Sequence, residues 1–391
     1  MTDLLQRILF AAGVTAALVV LPGALELLLV TVGAFRRRLV SNSAGRAGFR
    51  LAAVVPAHNE ENLIGACVAS ILSSDRTQPA CEVVVVADNC TDRTAERARA
   101  AGARVLVRND AGRRGKGYAL RFAFDELMPE GFDGFLIVDA DSAVSTNLVR
   151  EVGAILSGGA DAVQARYRVA SPFTSPRQRL MDVALLAFNV LRPRGRDGWG
   201  LSAGISGNGF ALRRQTLHDV PYSAESIVED LEYHLLLVCR GKRVRFADGA
   251  TVYGAMPEGR DAQTAQRARW EGGRLGVARA WIPKLAVQIC RGHFAAFEPL
   301  LELLTLPLAY LGMLSLLLCT MPFGILRGFG AAVSLILLVH VFGAIRLGDN
   351  FRKDLLSLLS APFYVAWKLT TLLAVFRSSS RKTEWVRTLR S

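Results

Sequence analysis

The feature that most constrains this chain is residues 8–34, ILFAAGVTAALVVLPGALELLLVTVGA, which hold one ionisable side chain, Glu26. At about 1.5 Å of rise per residue, a helix this long exceeds the roughly 30 Å of hydrocarbon in a bilayer. A cleaved secretion signal has an apolar stretch of about 7–15 residues ending in small residues. Here the stretch is longer and runs into Arg36, Arg37 and Arg38. A transmembrane helix within residues 1–40 is therefore expected. Two more apolar stretches come late: 300–326, whose only charge is Glu302, and 329–345, whose only titratable group is His340. Only Arg327 and Gly328 separate them, so the spacing predicts a transmembrane hairpin over 300–347.

Lys and Arg near the ends of spans stay on the cytoplasmic side. Arg36–Arg38 put the chain after the first span inside, and a hairpin returns it inside to Arg346, Arg352 and Lys353; three crossings satisfy both. Residues 355–376 are long enough to span, but they contain Lys368 and precede Arg377, Arg381, Lys382, Arg387 and Arg390. A fourth span would carry this basic tail outside. An interfacial helix in 351–391, with Tyr364, Trp367 and Lys368 at headgroup depth, is favoured, and the fourth span stays open. Residues 276–299 also read as an interfacial amphipathic segment, through Trp281, Ile282 and Phe294 among Arg274, Arg279, Lys284 and Arg291. The chain has 47 Lys and Arg against 34 Asp and Glu, a net +13, which raises the question of nucleic acid. The basic residues flank the membrane segments instead of forming a stripe with aromatic platforms, so nucleic acid is not an expected partner. Six cysteines without any C-x-x-C pair indicate neither a zinc ribbon nor a disulfide framework. The expected location is the cytoplasmic (inner) membrane, multi-pass, with the central domain facing the cytoplasm.

Between the spans, short apolar runs alternate with polar helical stretches. LAAVVPA (51–57), CEVVVVAD (81–88), ARVLVR (103–108) and GFLIVDAD (134–141) read as strands, with helices over 61–73, 91–101 and 117–127. This alternation, from Leu51 to about Asn147, predicts an α/β fold with a doubly wound, mostly parallel sheet. Ligands in such sheets bind beyond the carboxyl ends of the strands. Polar residues collect there: Pro56-Ala57-His58-Asn59-Glu60, Asp88-Asn89-Cys90-Thr91-Asp92 and Asp139-Ala140-Asp141. Residues 176–191 read as an amphipathic helix and 193–204 as a loop, a candidate lid.

Asp139 and Asp141, on a turn after an apolar strand, offer two hard oxygen ligands suited to Mg²⁺ or Mn²⁺ that also bind diphosphate. Alone, such a pair is more often a solvated turn. Arg113-Arg114-Gly115-Lys116-Gly117 precedes a helix and can present cations and backbone N–H groups to a phosphate, without the spacing of a nucleotide-hydrolase loop. Glu229-Asp230 suits a general base, although an acidic first turn of a helix needs no catalytic explanation. Gln266 and Arg269, three apart, share a helix face next to Trp270.

The order PAHNE, DNCTD, GRRGKGYAL, DAD, SGNGFALRR, VEDLEY and QRARW resembles the family 2 glycosyltransferases, in particular the membrane-embedded branch that includes cellulose, hyaluronan and glycolipid synthases. The resemblance covers about residues 50–275. It implies a GT-A fold, an inverting transfer from a nucleotide-sugar donor (a UDP-sugar first) and a divalent metal, Mg or Mn. It implies that Pro56, Ala57, Asn59, Glu60, Asp88 and Asn89 hold the nucleoside, with Glu60 and Asp88 on ribose and base, and that Lys116 lies near the base or phosphates. Asp139 and Asp141 resemble the metal-coordinating pair, Asp141 being the favoured direct ligand. Gly207, Asn208 and Gly209 resemble the loop lining donor sugar and acceptor, joined there by Glu229 and Trp270. Asp230 resembles the catalytic base, and Gln266, Arg269 and Trp270 the motif that binds diphosphate through Arg269 and offers a ring to a sugar. The expected acceptor is a lipid-linked glycan in cell-surface or exopolysaccharide synthesis. Alternatives are transfer to ceramide or diacylglycerol, a processive synthase, and an inactive membrane scaffold.

Overall fold

The computed structural model describes residues 3–36, 48–74, 80–170, 173, 175–223, 228–255, 260–363 and 365, with the side chains of 260–271 left undescribed. The chain divides into two compact units. One takes the described residues of 38–172 and 201–277; the other takes those of 1–37, 173–200 and 278–365.

The first unit is built on an eight-stranded sheet. Its strands are β1 (Arg50–Ala57), β2 (Ala80–Asp88), β3 (Arg104–Arg108), β4 (Gly134–Ile137), β5 (Ser142–Val144), β6 (Ala162–Val169), β7 (Phe210–Arg213) and β8 (Val244–Gly254). They lie in the order β3-β2-β1-β4-β7-β6-β8-β5. The first four strands pair in parallel, as their near-continuous apolar runs predict for strands covered on both faces. β7 then runs antiparallel to β4 and to β6, and β5 antiparallel to β8, so the sheet is mixed. The core packs Leu51, Ala53 and Val55 of β1 with Val83, Val85 and Leu136, against Ile64, Val68 and Ile71 of helix Ile64–Leu72 and Val149 and Val152 of helix Leu148–Ser157.

Two consequences place the ligand edge. The connection from β1 goes to β2 on one side while β4 lies on the other, the topological switch at which doubly wound sheets bind ligands. Because β7 is antiparallel to β4, with Ile137 opposite Phe210, residues 206–209 enter β7 beside the chain leaving β4.

The second unit contains helices Asp3–Ala34 and Gly324–Arg346, each long and apolar enough to cross a membrane. Residues 300–326, expected as one straight span, form helices Phe297–Leu304 and Leu308–Cys319, bent by 77° where the 3-10 turn at 294 is counted with the first. Pro307 explains the break: it lacks an N–H, and the residue before a proline is driven from the helical region. The turn to the next helix falls at 320–323 around Pro322, not at Arg327 and Gly328, which lie inside helix Gly324–Arg346. Of the expected interfacial helix, Phe351–Ser357 is helical, while Trp367, Lys368 and the basic tail lie outside the described residues.

Residues 173–200 belong to this helical unit, so the expected continuous domain 50–275 is interrupted. Helix Pro176–Leu186, opened by a Ser175–Gln178 capping box, continues through a wider turn at Ala187–Leu191 into helix Arg192–Gly198. The loop expected from 193 is therefore replaced as far as 198 by helix. Glycines bring it against the first span: a Cβ on Gly195 would lie 2.0 Å from Val30 O, and one on Gly198 2.2 Å from Gly33 O. Small residues allow such close approach between membrane helices. Arg196 there meets Glu26 of the first span at 3.1 Å, Glu302 at 3.1 Å, and Glu298. Arg192 adds a second cation, 3.5 Å from Glu26. The lone acids of two apolar stretches are thus paired, as charges in a low-dielectric interior must be.

Candidate active site

At the ends of β1 and β2 the chain is held by its own polar side chains. Asn59 and Asn89 adopt left-handed backbone, φ 55° and 51°, which asparagine tolerates better than most residues. The Asn59 side-chain oxygen accepts from Thr91 N at 2.7 Å, and that of Asn89 from Asp110 N at 2.8 Å. Glu60 N donates to Thr94 Oγ1 (2.7 Å), and Cys90 Sγ to Ala57 O (3.5 Å). Pro56 lies beyond the last β1–β4 pair, Val54 with Ile137. The sequence-predicted nucleoside residues are therefore brought together, with both asparagines engaged in fixing the loops.

Asp88 ends β2 and receives 2.6 and 2.9 Å hydrogen bonds on Oδ1 from Arg108 and Asn89. Burial raises the Asp88 carboxyl, against the opposing pull of Arg108. His58 lies 2.7 Å from the Asp88 carbonyl through Nδ1. Arg108, which sequence reasoning passed over, also holds Asp110 at 3.0 Å and Arg113 O at 2.8 Å, tying the basic loop to the β2 end. A basic residue closing β3 after the apolar run Val105–Val107 was its only signal.

Helix Lys116–Leu127 starts after Gly115, whose φ of 131° requires glycine. The Lys116 amine binds both Asp139 and the Gly207 carbonyl, joining the carboxylate turn after β4 to the loop before β7. Burial disfavours the Lys116 charge, but Asp139, Glu229 and Asp230 outweigh it and raise the ammonium above its ordinary value. Four sequence-predicted groups are therefore electrostatic neighbours. Asn208, expected to line the sugar, is only 1% exposed. Its side chain accepts from Asp139 N (3.1 Å) and donates to Ser142 Oγ (2.8 Å), so it faces the Asp139 turn.

Gly207 and Gly209 both have positive φ, 75° and 69°. A Cβ on Gly207 would sit 2.9 Å from Asp230 Oδ2, whereas one on Gly209 would strike Val252 at 2.6 Å. Gly207 thus lets the loop lie against Asp230, at the start of helix Glu229–Cys239. The other Asp230 oxygen accepts from Leu231 N at 2.8 Å. Burial, then the adjacent Asp230, lifts the Glu229 carboxyl to about 7; Asp230 is also raised, by burial, against the Leu231 N–H and Lys116. A carboxylate with raised proton affinity beside a loop of small residues is equipped to take a proton from a hydroxyl.

Gln266, Arg269 and Trp270 fall on helix Arg260–Cys290, but their side chains lie outside the described residues. Among the described residues no group of three or more His, Cys, Asp or Glu could hold a metal alone. Mg²⁺ and Mn²⁺ at phosphate sites need only one or two protein carboxylates, the substrate supplying other oxygens. Asp139 and Asp141, on one turn, fit that requirement. Asp141 Oδ1 is fixed at 3.3 Å from Ser142 Oγ.

Residues 48–273 match the sequence profile described as glycosyltransferase like family 2, more than half the chain. A probable glycosyltransferase of Bacillus subtilis is 25% identical over 237 residues, covering 58% of this chain and 56% of that relative, so the match spans about half the relative's length. A mannosyltransferase from Pyrobaculum calidifontis, in complex with GDP-Man and Mn²⁺, shares the fold over 98% of this chain and 100% of its own, with TM-score 0.57 and 19% identity. Glucosyl-3-phosphoglycerate synthase from Mycobacterium tuberculosis, in complex with Mg²⁺ and UDP, is 26% identical over 52% of this chain and 70% of its own, with TM-score 0.37. The sheet is a GT-A sheet, and the chain belongs to glycosyltransferase family 2.

Proposed function

We propose that this glycosyltransferase moves one sugar, with inversion, from a nucleotide-sugar donor to a lipid-linked acceptor in cell-surface or exopolysaccharide synthesis. Asp230 is the base that deprotonates the acceptor hydroxyl as it attacks the anomeric carbon; the sugar–phosphate bond breaks on the opposite side and the nucleoside diphosphate leaves. The observation that carries this reading is the contact of Asp230 with Gly207, whose carbonyl the Lys116 amine joins to Asp139. It puts Asp230 and the Asp139–Asp141 turn in one site, which supports these roles. Asp88, positioned by Arg108, and Glu60 take the nucleoside. Asp139 and Asp141 would hold Mg²⁺ or Mn²⁺, whose charge offsets that of the departing diphosphate. Gln266, Arg269 and Trp270 would close the diphosphate and sugar side.

The apolar helices support a lipid acceptor and residence in the cytoplasmic membrane, and Arg36–Arg38 support a catalytic unit on the cytoplasmic side. A UDP-sugar is the first donor to test and GDP-mannose the second, because the Pyrobaculum enzyme is in complex with GDP-Man. The test is nucleoside-diphosphate release by detergent-purified protein with lipid extract and Mn²⁺ or Mg²⁺, offering UDP-, GDP- and TDP-sugars in turn. The expected result is release from one donor with its label in the organic phase. Release with all label remaining water-soluble would contradict the lipid acceptor, and release without added metal in the presence of EDTA would contradict metal dependence.

A further inference from the structure

We propose that Gln164 and Asn208 are positioning residues that set the Asp139–Asp141 turn, and that Ser142 relays their hold to Asp141. The inference rests on reading that turn as the platform for metal and diphosphate. β4 ends at Ile137, so ladder hydrogen bonding to β1 and β7 stops just before the turn; the next amide, Val138, still reaches Val54 O at 3.1 Å, but Asp139 is beyond it. Besides Lys116 on the Asp139 carboxylate and Cys67 Sγ on the Asp139 carbonyl at 3.4 Å, a chain of amides holds the turn from there. Gln164 on β6 is fully buried; its oxygen accepts from Ser206 N at 2.9 Å and its nitrogen donates to Asn208 O at 2.8 Å, so it fixes both sides of the 206–209 loop. Asn208 then turns inward to accept from Asp139 N and to donate to Ser142 Oγ. Ser142, 3% exposed, completes the relay: its hydroxyl reaches Asp141 Oδ1 and its N–H donates to Asp139 O at 3.1 Å.

The chemistry at position 208 is specific. The side chain must accept from an N–H and donate to a hydroxyl, in a space closed to water. An aspartate offers two acceptors, and an alkyl group offers neither and leaves the Asp139 N–H unpaired in the interior, where an unmade hydrogen bond costs more than a made one contributes. Neither Gln164 nor Asn208 reaches solvent, so their influence on donor binding passes through the turn. Partners that orient metal ligands typically change metal affinity by about 10- to 100-fold when removed.

Asn208→Leu keeps the branched outline of the side chain and removes both hydrogen bonds; Ser142→Ala is a milder variant that cuts only the relay. Tyr233→Phe, which removes a buried hydroxyl donating 2.7 Å to Val220 O, is the control for loss of a hydrogen bond elsewhere in the unit. Free Mn²⁺ is titrated by electron paramagnetic resonance against detergent-purified protein with UDP, GDP or TDP, and melting temperatures are recorded without metal. The expected result is Mn²⁺–nucleotide binding weakened about 10- to 100-fold in Asn208→Leu, with a smaller shift in the same direction in Ser142→Ala and none in Tyr233→Phe. Unchanged Mn²⁺ binding in Asn208→Leu beside a lower melting temperature overturns the inference and leaves the transferase reading standing. If that variant does not fold, unchanged binding in Ser142→Ala overturns it. No Mn²⁺ binding by the parent protein with any of the nucleotides refutes the metal platform itself, and this inference with it.

Discussion

Gly207→Ala should slow transfer about tenfold through a single contact. Two costs enter. The backbone at φ 75° is a left-handed conformation that costs a residue with a Cβ about 1 kcal/mol. Gly241, with φ 69° and nothing within 4 Å of its would-be Cβ, incurs that cost alone when replaced by alanine. At Gly207 the new Cβ also falls 2.9 Å from Asp230 Oδ2, about half an ångström inside an ordinary contact. The carboxylate cannot simply swing aside without loosening its 2.8 Å bond from Leu231 N. Misplacing a reacting group by about 1 Å costs on the order of 100-fold in rate, so half that displacement costs about tenfold. Both variants should lose about 1 kcal/mol, about 2–4 °C in melting temperature for a unit of this size. Only Gly207→Ala should lose kcat, with nucleotide affinity by calorimetry unchanged. Equal kcat for the two variants, measured by nucleoside-diphosphate release at saturating donor, would refute the contact between this loop and the base.

The electrostatics predict a pH response. Burial and Asp230 hold the Glu229 carboxyl at about 7 in the fold against 4.5 ordinarily, so the folded unit binds more protons than the unfolded chain between those values. Stability therefore falls as pH rises from about 4.5 through 7 and levels above it; denaturant melts across that window should show the slope, and Glu229→Gln should reduce it. In the helical unit, Arg196→Met leaves Glu26, Glu298 and Glu302 without their shared cation and should destabilise it by about 3–5 kcal/mol. Adding Glu→Gln at all three positions should recover much of the melting temperature in detergent; no recovery would contradict an electrostatic origin.

The parallel half of the sheet was legible because strands covered on both faces carry near-continuous apolar runs, as Leu51–Ala57 of β1, Val83–Ala87 of β2 and all of β4 do. The antiparallel pairings of the other half were not. β7 is four residues long and β5 three, too short to carry a period, and their pairing is set by strands far away in sequence. Glu229, Asp230, Asp139 and Lys116 were legible as types at strand and helix ends. The role of Asn208 was not, because an asparagine between two glycines reads as an exposed loop until the buried Gln164 and Ser142 are seen around it. The membrane helices were legible from length, but their breaks were misplaced: two small steps of polarity, Arg327 and Gly328, drew more weight than Pro307 and Pro322. Arg196 was read as part of a loop. Glu26 and Glu302, lone acids in apolar stretches, were the signal that a buried cation had to exist elsewhere in the chain.

The most direct test of the central claim is a paired measurement on Asp230→Asn and the parent protein: calorimetric binding of the nucleoside diphosphate with Mn²⁺, and its release from the donor sugar in the presence of acceptor lipid. The substitution keeps the shape and removes the base. General bases contribute about 10²- to 10⁴-fold, so binding should match the parent while release falls by at least about 100-fold. The raised affinity of Asp230 for a proton also requires the parent's rate to decline on the acid side at a pH above that of an ordinary aspartate. Release by Asp230→Asn within a few-fold of the parent, at equal nucleotide binding, would contradict the assignment of the base and the mechanism built on it.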